Sequence, residues 1–434
     1  YEKKKDLLIR ALEIKERHYG KDHPETSATL HELGNAWGQL GDYEKKKDLL
    51  TRALEIKEKH YGKEHPETSA TLEDLGNAWG SFGDYEKKKN LLTIALKINE
   101  KCYGRDHPKT GITLTNLGNV WGFLGDSAKE KDLQTRALEI FEKHYGNDHP
   151  KIGITLTQLG YAWGYLGDYK KKKDLLTRAL EINEKHFGKD HPETSNTLNG
   201  LGFAWGALGD YKKQIDMLTR ALEINEKHFG KYHRQTGATL ANLGNAWGDV
   251  GDYEKKKDLL TRAVEIYEQH FGKYHPQTGV LLAQLGNALC TLGNTQQAYE
   301  LLSRSLQIKK FSSSKIDPSF CLLLTDLGRA YLSLKDFTQA EGCLLNALKI
   351  NESFYGMNHI NARSILTSLS DLYFQMKKFE KALEYQSRTH QIYQRNFGED
   401  DKHRINSANR MKIIKESIIA NEIQAKYLEL LSKK

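Results

Sequence analysis

Six tryptophans, Trp37, Trp79, Trp121, Trp163, Trp205 and Trp247, recur at a constant interval of 42 residues, and the chain contains no others. Each lies in the same phrase, Leu33-Gly34-Asn35-Ala36-Trp37-Gly38 at its first occurrence, followed by Gly41-Asp42-Tyr43. The register outlives the tryptophan, because Leu289, Tyr331 and Tyr373 stand at the next three multiples. A fixed period of this size means stacked supersecondary units, each burying its apolar side on its neighbours. Such a chain grows along one axis, so its 434 residues do not translate into a number of globular domains.

Within one unit the spacing predicts two helices. Helix A covers about 25–40, with Leu30, Leu33, Trp37 and Leu40 on one stripe. His23-Pro24 announces its start, since proline at the first helical position gives up no needed hydrogen bond. Gly41 ends it. Helix B covers about 43–61, with Leu50, Ala53, Leu54 and Tyr61 as its buried stripe and Gly62 as its stop. Loops this short make neighbouring helices antiparallel.

With Leu33, Gly34, Trp37, Gly41, Tyr43, Leu50 and Ala53 at fixed offsets, the unit resembles the tetratricopeptide repeat. Its long helix B and Tyr-Gly-Lys-Asp-His-Pro loop resemble the kinesin-light-chain variety. The resemblance covers nearly all of residues 1–400 and implies an all-α, right-handed superhelix of about nine and a half helix pairs. One departure stands out. The small alanine expected early in helix B is replaced by Lys46, Lys88, Glu130, Lys173, Gln214 and Lys257 in the tryptophan-bearing units, and returns only as Ala298, Ala340 and Ala382. Tryptophan and lysine change together, which predicts one packing solution: Trp37 buried, with the Lys46 stem over its ring and the head at water.

The chain divides accordingly into a near-identical array, residues 1–294, and divergent repeats, 295–400. A final segment, 401–434, lacks the repeat signature; its Ile405, Met411, Ile414, Ile418, Ile419, Ile423, Tyr427, Leu428 and Leu431 form an irregular stripe suited to a capping helix. Phe311 to Lys315 replaces the usual loop and is expected to be flexible. Tyr1 holds the register of Tyr43, so the chain opens inside a unit, as a piece of something longer would.

Composition narrows the function. The 65 basic and 57 acidic residues leave a net charge of +8, a mild bias over a long surface. Lysine triplets such as Lys45–Lys47 and Lys87–Lys89 are flanked by acids, and the aromatics sit at core positions, which argues for a solvated face and against nucleic acid or acidic lipid. Cys102, Cys290, Cys321 and Cys343 are scattered without metal-ligand spacing, which makes a cytoplasmic setting the default. No run of 18 apolar residues exists, so no membrane insertion is expected. No phosphate loop, catalytic constellation, metal site or cofactor motif is present, although His60 and His65 bracket each loop. The chain therefore reads as a non-enzymatic scaffold for a protein or peptide ligand. Two alternatives are the sensor arm of a larger signalling protein and a self-associating rod.

The resemblance places ligands in the concave groove lined by A helices. There the polar ladder Asn35, Asn77, Asn119, Asn245 and Asn287 runs beside a glycine column that includes Gly122 and Gly164. Ile112, Phe123, Ile154, Tyr161, Tyr165 and Phe203 offer an apolar patch in the middle units. Glycine inside a helix costs roughly 1 kcal/mol against alanine, so its recurrence needs a use. Two stand open: bare backbone that lets a ligand lie close, or room for Trp37 of the same or the next unit. Lysine is absent one turn before the asparagine, where His31, Glu73 and Thr115 stand, so the C-terminal carboxylate clamp of some co-chaperones is not expected.

Overall fold

The computed structural model describes residues 2–312, 317–396 and 398–432, and among them it contains α-helices, one 3-10 turn and no strand. Residues 313–315, where the flexible loop is expected, lie outside the described residues. The chain forms two compact units, divided after His228. The first holds α1 (Glu2–Tyr19), α2 (Pro24–Gln39), α3 (Tyr43–Tyr61), α4 (Pro66–Ser81), α5 (Tyr85–Tyr103) and α6 (Pro108–Phe123). It continues with α7 (Ser127–Tyr145), α8 (Pro150–Tyr165), α9 (Tyr169–Phe187), α10 (Pro192–Ala207) and α11 (Tyr211–Phe229). The second holds α12 (Arg234–Asp249), α13 (Tyr253–Phe271), α14 (Pro276–Thr291), α15 (Thr295–Ser312) and α16 (Ser319–Ser333). It ends with α17 (Phe337–Tyr355), α18 (Arg363–Gln375), α19 (Phe379–Asn396) and α20 (Lys402–Ser432). The A helices are α2 to α18 with even numbers; α1 is a B helix without its partner.

The loops explain the boundaries. His23 is the N-cap of α2: its Nδ1 accepts from the Glu25 amide at 3.2 Å, and His65, His107, His149, His191, His233, His275 and His359 repeat the device. Asp42 caps α3 through the Lys45 amide at 3.0 Å. Gly41 and Gly62 hold positive φ at 86° and 87°, the left-handed turn a side chain resists. Lys335 and Lys377 occupy the place of Gly41 in the divergent repeats and carry φ of 62° and 58°. Tyr61, expected in the buried stripe, is exposed and stacks on His65 with ring centres 4.8 Å apart. The other histidine of the loop has its own use at several repeats, since His60, His186 and His270 bond the carbonyls of Asp22, Asp148 and Tyr232 in the preceding loops at 2.8, 2.7 and 2.7 Å.

Thin apolar layers alternate along each unit. Leu30, Ala53 and Ile56 form one such layer, and Leu114, Phe141, Ile152 and Leu156 belong to a larger one. Adjacent B helices are joined by arginine–glutamate pairs, Arg52 to Glu16 at 2.7 Å and Arg136 to Glu100 at 2.6 Å. The tryptophans differ from expectation, being half-buried rather than enclosed. The cation over the Trp37 ring is Lys45 at 3.8 Å, not Lys46, with Lys5 of the preceding unit at 5.1 Å. Trp121 lies likewise between Lys129 at 4.0 Å and Lys89 at 5.0 Å. The outer lysines of the triplets 45–47, 87–89 and 171–173 thus bind indole faces within and between units.

Helix α20 joins α19 through its first half. Gln386 Nε2 donates to Ser407 Oγ at 2.9 Å, Arg410 pairs with Asp371, and Ile414 is buried. Beyond it Ile419, Ile423, Tyr427 and Leu428 are exposed, so only part of the expected stripe is covered.

Candidate functional site in the A-helix face

The glycine column is neither open nor filled by tryptophan. A Cβ at Gly38 would stand 2.5 Å from Lys46 Cδ, one at Gly80 2.7 Å from Lys88 Cδ, and one at Gly164 2.7 Å from Lys172 Cδ. Gly122 faces the Glu130 carboxylate at 2.5 Å, Gly206 faces Gln214 at 2.5 Å, and Gly248 faces Lys256 Cδ at 2.6 Å. Each glycine is a notch in helix A through which a long side chain of helix B passes. At the fourth and sixth steps the residue is Lys172 and Lys256, one position before Lys173 and Lys257. Where the glycine is replaced, the partner shrinks, as in Cys290/Ala298, Leu332/Ala340 and Phe374/Ala382. That exchange of volume at a spacing of eight was the sequence signal for the contact, and it is what protein interiors demand at constant packing density.

The first unit therefore carries a column of polar side chains, Lys46, Lys88, Glu130, Lys172 and Gln214, in its A-helix face. Lys172 shows where they emerge: its Nζ is 4.3 Å from the Phe203 ring centre and 5.1 Å from that of Tyr161. Lys172 and Glu130 are each only 4% exposed, and neither they nor Lys88 has an ion-pair partner among the described residues. Burial pulls the Lys172 ammonium down to about 8 and pushes the Glu130 carboxyl up to about 7. Lys88 is lowered by burial and then by Lys46, and Lys46 by burial against the opposing pull of Asp74.

Beside this column the A helices bond to one another. His31 Nε2 lies 2.7 Å from Asp74 Oδ2, which also accepts from Asn35 Nδ2 at 2.8 Å. Burial opposes ionisation of Asp74, but the bonds from His31 and Asn35 outweigh it and hold its carboxyl below the usual range. Glu73 is raised by burial, although Thr113 and Asn99 bond it. The asparagine ladder is thus partly occupied. Asn119 Oδ1 accepts from Gln134 at 2.8 Å and Asn287 donates to Asp326 at 2.9 Å, while Asn77 is half-buried.

The apolar residues separate into three places. Tyr161 and Phe203 bracket Lys172, the Tyr161 hydroxyl donating to the Asn196 carbonyl at 2.8 Å. Phe123 lies near the turn and stacks on Tyr85 at 4.7 Å, and Tyr165, 75% exposed, lies by the α6–α7 turn, where Ser127 replaces that tyrosine. Ile112 packs on the core layer of Leu114 and Ile152, and Ile154 is half-buried.

In the second unit the same face opens into a cavity of about 570 Å³ among α12, α13, α14, α15 and α16. Asn245, Lys256, Gln284, Asn287, Leu322 and Asp326 are among its lining residues. Lys256 is lowered by burial, with Asp249 and Asp326 acting against it. Among the described residues no group of three or more histidine, cysteine or acidic side chains could hold a metal, and no helix is long and apolar enough to cross a membrane.

Several solved structures resemble the chain at low identity. A protein from Podosopora anserina described as a kinesin light chain with nearly identical TPR-like repeats is 23% identical over 47% of this chain and 97% of its own, with a TM-score of 0.42. A Rap protein solved in complex with Competence and Sporulation Factor is 15% identical over 86% of this chain and 99% of its own, with a TM-score of 0.56. The apo form of RapI is 13% identical over 65% of this chain and 97% of its own, with a TM-score of 0.51. No curated protein matches the sequence. Models of the tetratricopeptide repeat match residues 5–59, 164–227, 236–310 and 319–413, and a second model of that repeat matches 68–109 and 110–151. With these matches covering more than half of its length, the chain belongs to the tetratricopeptide repeat family.

Proposed function

We propose that the A-helix face of the first unit is a receptor for a segment of a protein partner, whose charged side chains are read by Lys88, Glu130 and Lys172. The observation that carries this is the column of charged groups held in glycine notches without ion-pair partners. A buried unpaired charge weakens a fold, and perturbed groups in a groove are where recognition chemistry is found. Asn77, Asn119, Tyr161 and Phe203 border the column and would contact the segment's backbone and apolar side chains. The Rap protein, held with Competence and Sporulation Factor, is an instance of this fold engaging a partner. Cofactors and catalysis have no place in this function.

Panning a phage-displayed library of random short peptides tests it. A related family of peptides should emerge that binds the chain, is lost in Lys88→Glu and in Lys172→Glu, and is retained when the exposed Lys101 and Lys143 become glutamine. No related family, or one indifferent to Lys88 and Lys172, would overturn the assignment.

A further inference from the structure

Among the charged rungs of the first unit, one has the opposite sign. Glu130 stands where Lys88 precedes it and Lys172 follows, and its carboxylate oxygens sit 2.5 and 2.8 Å from the position a Cβ on Gly122 would take. Glutamate is shorter than lysine, so the charged group stays inside the notch instead of passing through. Its Oε2 is buried and has no hydrogen-bond partner. One turn along α7, Gln134 is fully buried against Gly118. Its Nε2 donates to Asn119 Oδ1 at 2.8 Å and to the Thr115 carbonyl at 3.1 Å, leaving its Oε1 without a donor as well. Two acceptors one turn apart on one helix face, one of them a carboxylate, both lack what they need.

We propose that Glu130 is the seat for one lysine or arginine side chain of the bound segment. This rests on the receptor function above and specifies its ligand. A cation answers an unpartnered carboxylate with charge as well as donors: an ammonium offers three and a guanidinium five. A divalent ion would need more oxygens than this pair supplies. Burial, the one cause of the raised Glu130 carboxyl, marks a charge that nothing in the chain neutralises.

The flanking rungs turn the seat into a register mark. A segment that places its cation one repeat too early meets Lys88, and one repeat too late meets Lys172, so both wrong alignments are repelled. The same lysines favour acidic side chains on either side. Lys88, Glu130 and Lys172 sit on α5, α7 and α9, one repeat apart, and an extended chain advances about 3.3 Å per residue, so the acids fall several residues before and after the base.

The same panning experiment, run on wild type, Glu130→Gln and Glu130→Lys, decides the matter. Both replacements are side chains the array already carries opposite an equivalent glycine, at Gln214 and Lys88, so the fold tolerates them. Wild type should select a basic residue flanked by acids at about that spacing. Glu130→Gln should bind those peptides at least about tenfold more weakly, and Glu130→Lys should select an acid at the central position. A selected family that depends on Lys88 and Lys172 but lacks the central base, or binds Glu130→Gln equally well, overturns this seat while leaving the receptor function standing. Failure of any family to depend on Lys88 would remove both.

Discussion

Removing the charge of Glu130 should make the protein more stable, and only at neutral to alkaline pH. Its carboxyl is raised from 4.5 to about 7 by burial. In the unfolded chain it ionises near 4.5, so between 4.5 and about 7 the folded state holds more protons than the unfolded one, and stability falls as pH rises through that window. The full shift corresponds to roughly 3 kcal/mol, and relaxation around the charge brings the expected loss to about 1–3 kcal/mol. Glu130→Gln preserves shape and lacks this dependence. Urea unfolding followed by tryptophan emission, at about pH 5 and about pH 8, compares the two proteins at each pH. They should be nearly equal at the lower pH, with the variant ahead by about 1–3 kcal/mol at the higher. A gap of the same size at both pH values, or a variant weaker at the higher one, would show that Glu130 is not held as an unpaired buried acid.

Three further outcomes follow from the packing. Gly164→Leu drives a side chain into Lys172, 2.7 Å from the new Cβ, and should cost about 1–3 kcal/mol; adding Lys172→Ala recreates the Leu332/Ala340 arrangement and should restore most of it in a double-mutant cycle. Lys129→Met removes the cation 4.0 Å above Trp121 and should cost about 0.5–1 kcal/mol in a cycle with Trp121→Leu, where no coupling would refute the indole–lysine bond. We propose residue 294 as a boundary of packing chemistry, so tryptophan emission, which reports the array, and hydrogen exchange in 295–434 should give separate unfolding transitions; coincident ones would refute it.

Most of the fold was written in the period. A 42-residue register, Pro24, Gly41 and Gly62 place α2 and α3 within a residue of their observed ends. What the period could not resolve was rotation about helix B. Lys45, Lys46 and Lys47 differ by about 100° per step, so one points at the indole, the next through the notch and the third toward the following tryptophan. The sequence shows three adjacent lysines and no reason to rank them, unless the glycine eight residues earlier is compared with Leu332 and Ala340. His23 marks the start of helix A in the sequence, but its ring as the capping acceptor was not legible, because serine, threonine, asparagine and aspartate are the usual caps. The bonds from Asn35 to Asp74 and from Asn287 to Asp326 join neighbouring repeats at the same offset, yet asparagines at Asn77 and Asn245 have no aspartate there, so the ladder reads as uniform when it is not.

On the receptor function proposed above, the notch also changes where specificity is inherited. In an ordinary groove the residues that meet a ligand lie on the lining helix, and altering them disturbs the surface that also packs against the next repeat. Here the lining helix supplies a gap, and the helix behind it supplies the chemistry: lysine at 46, 88 and 172, glutamate at 130, glutamine at 214. A lysine codon becomes a glutamate codon, and either becomes glutamine, by a single base change, while helix A stays untouched. Near-identical units can also exchange register by recombination and carry such a residue with them. An array built this way can rewrite the order of charges in its A-helix face while the residues of helix A stay the same.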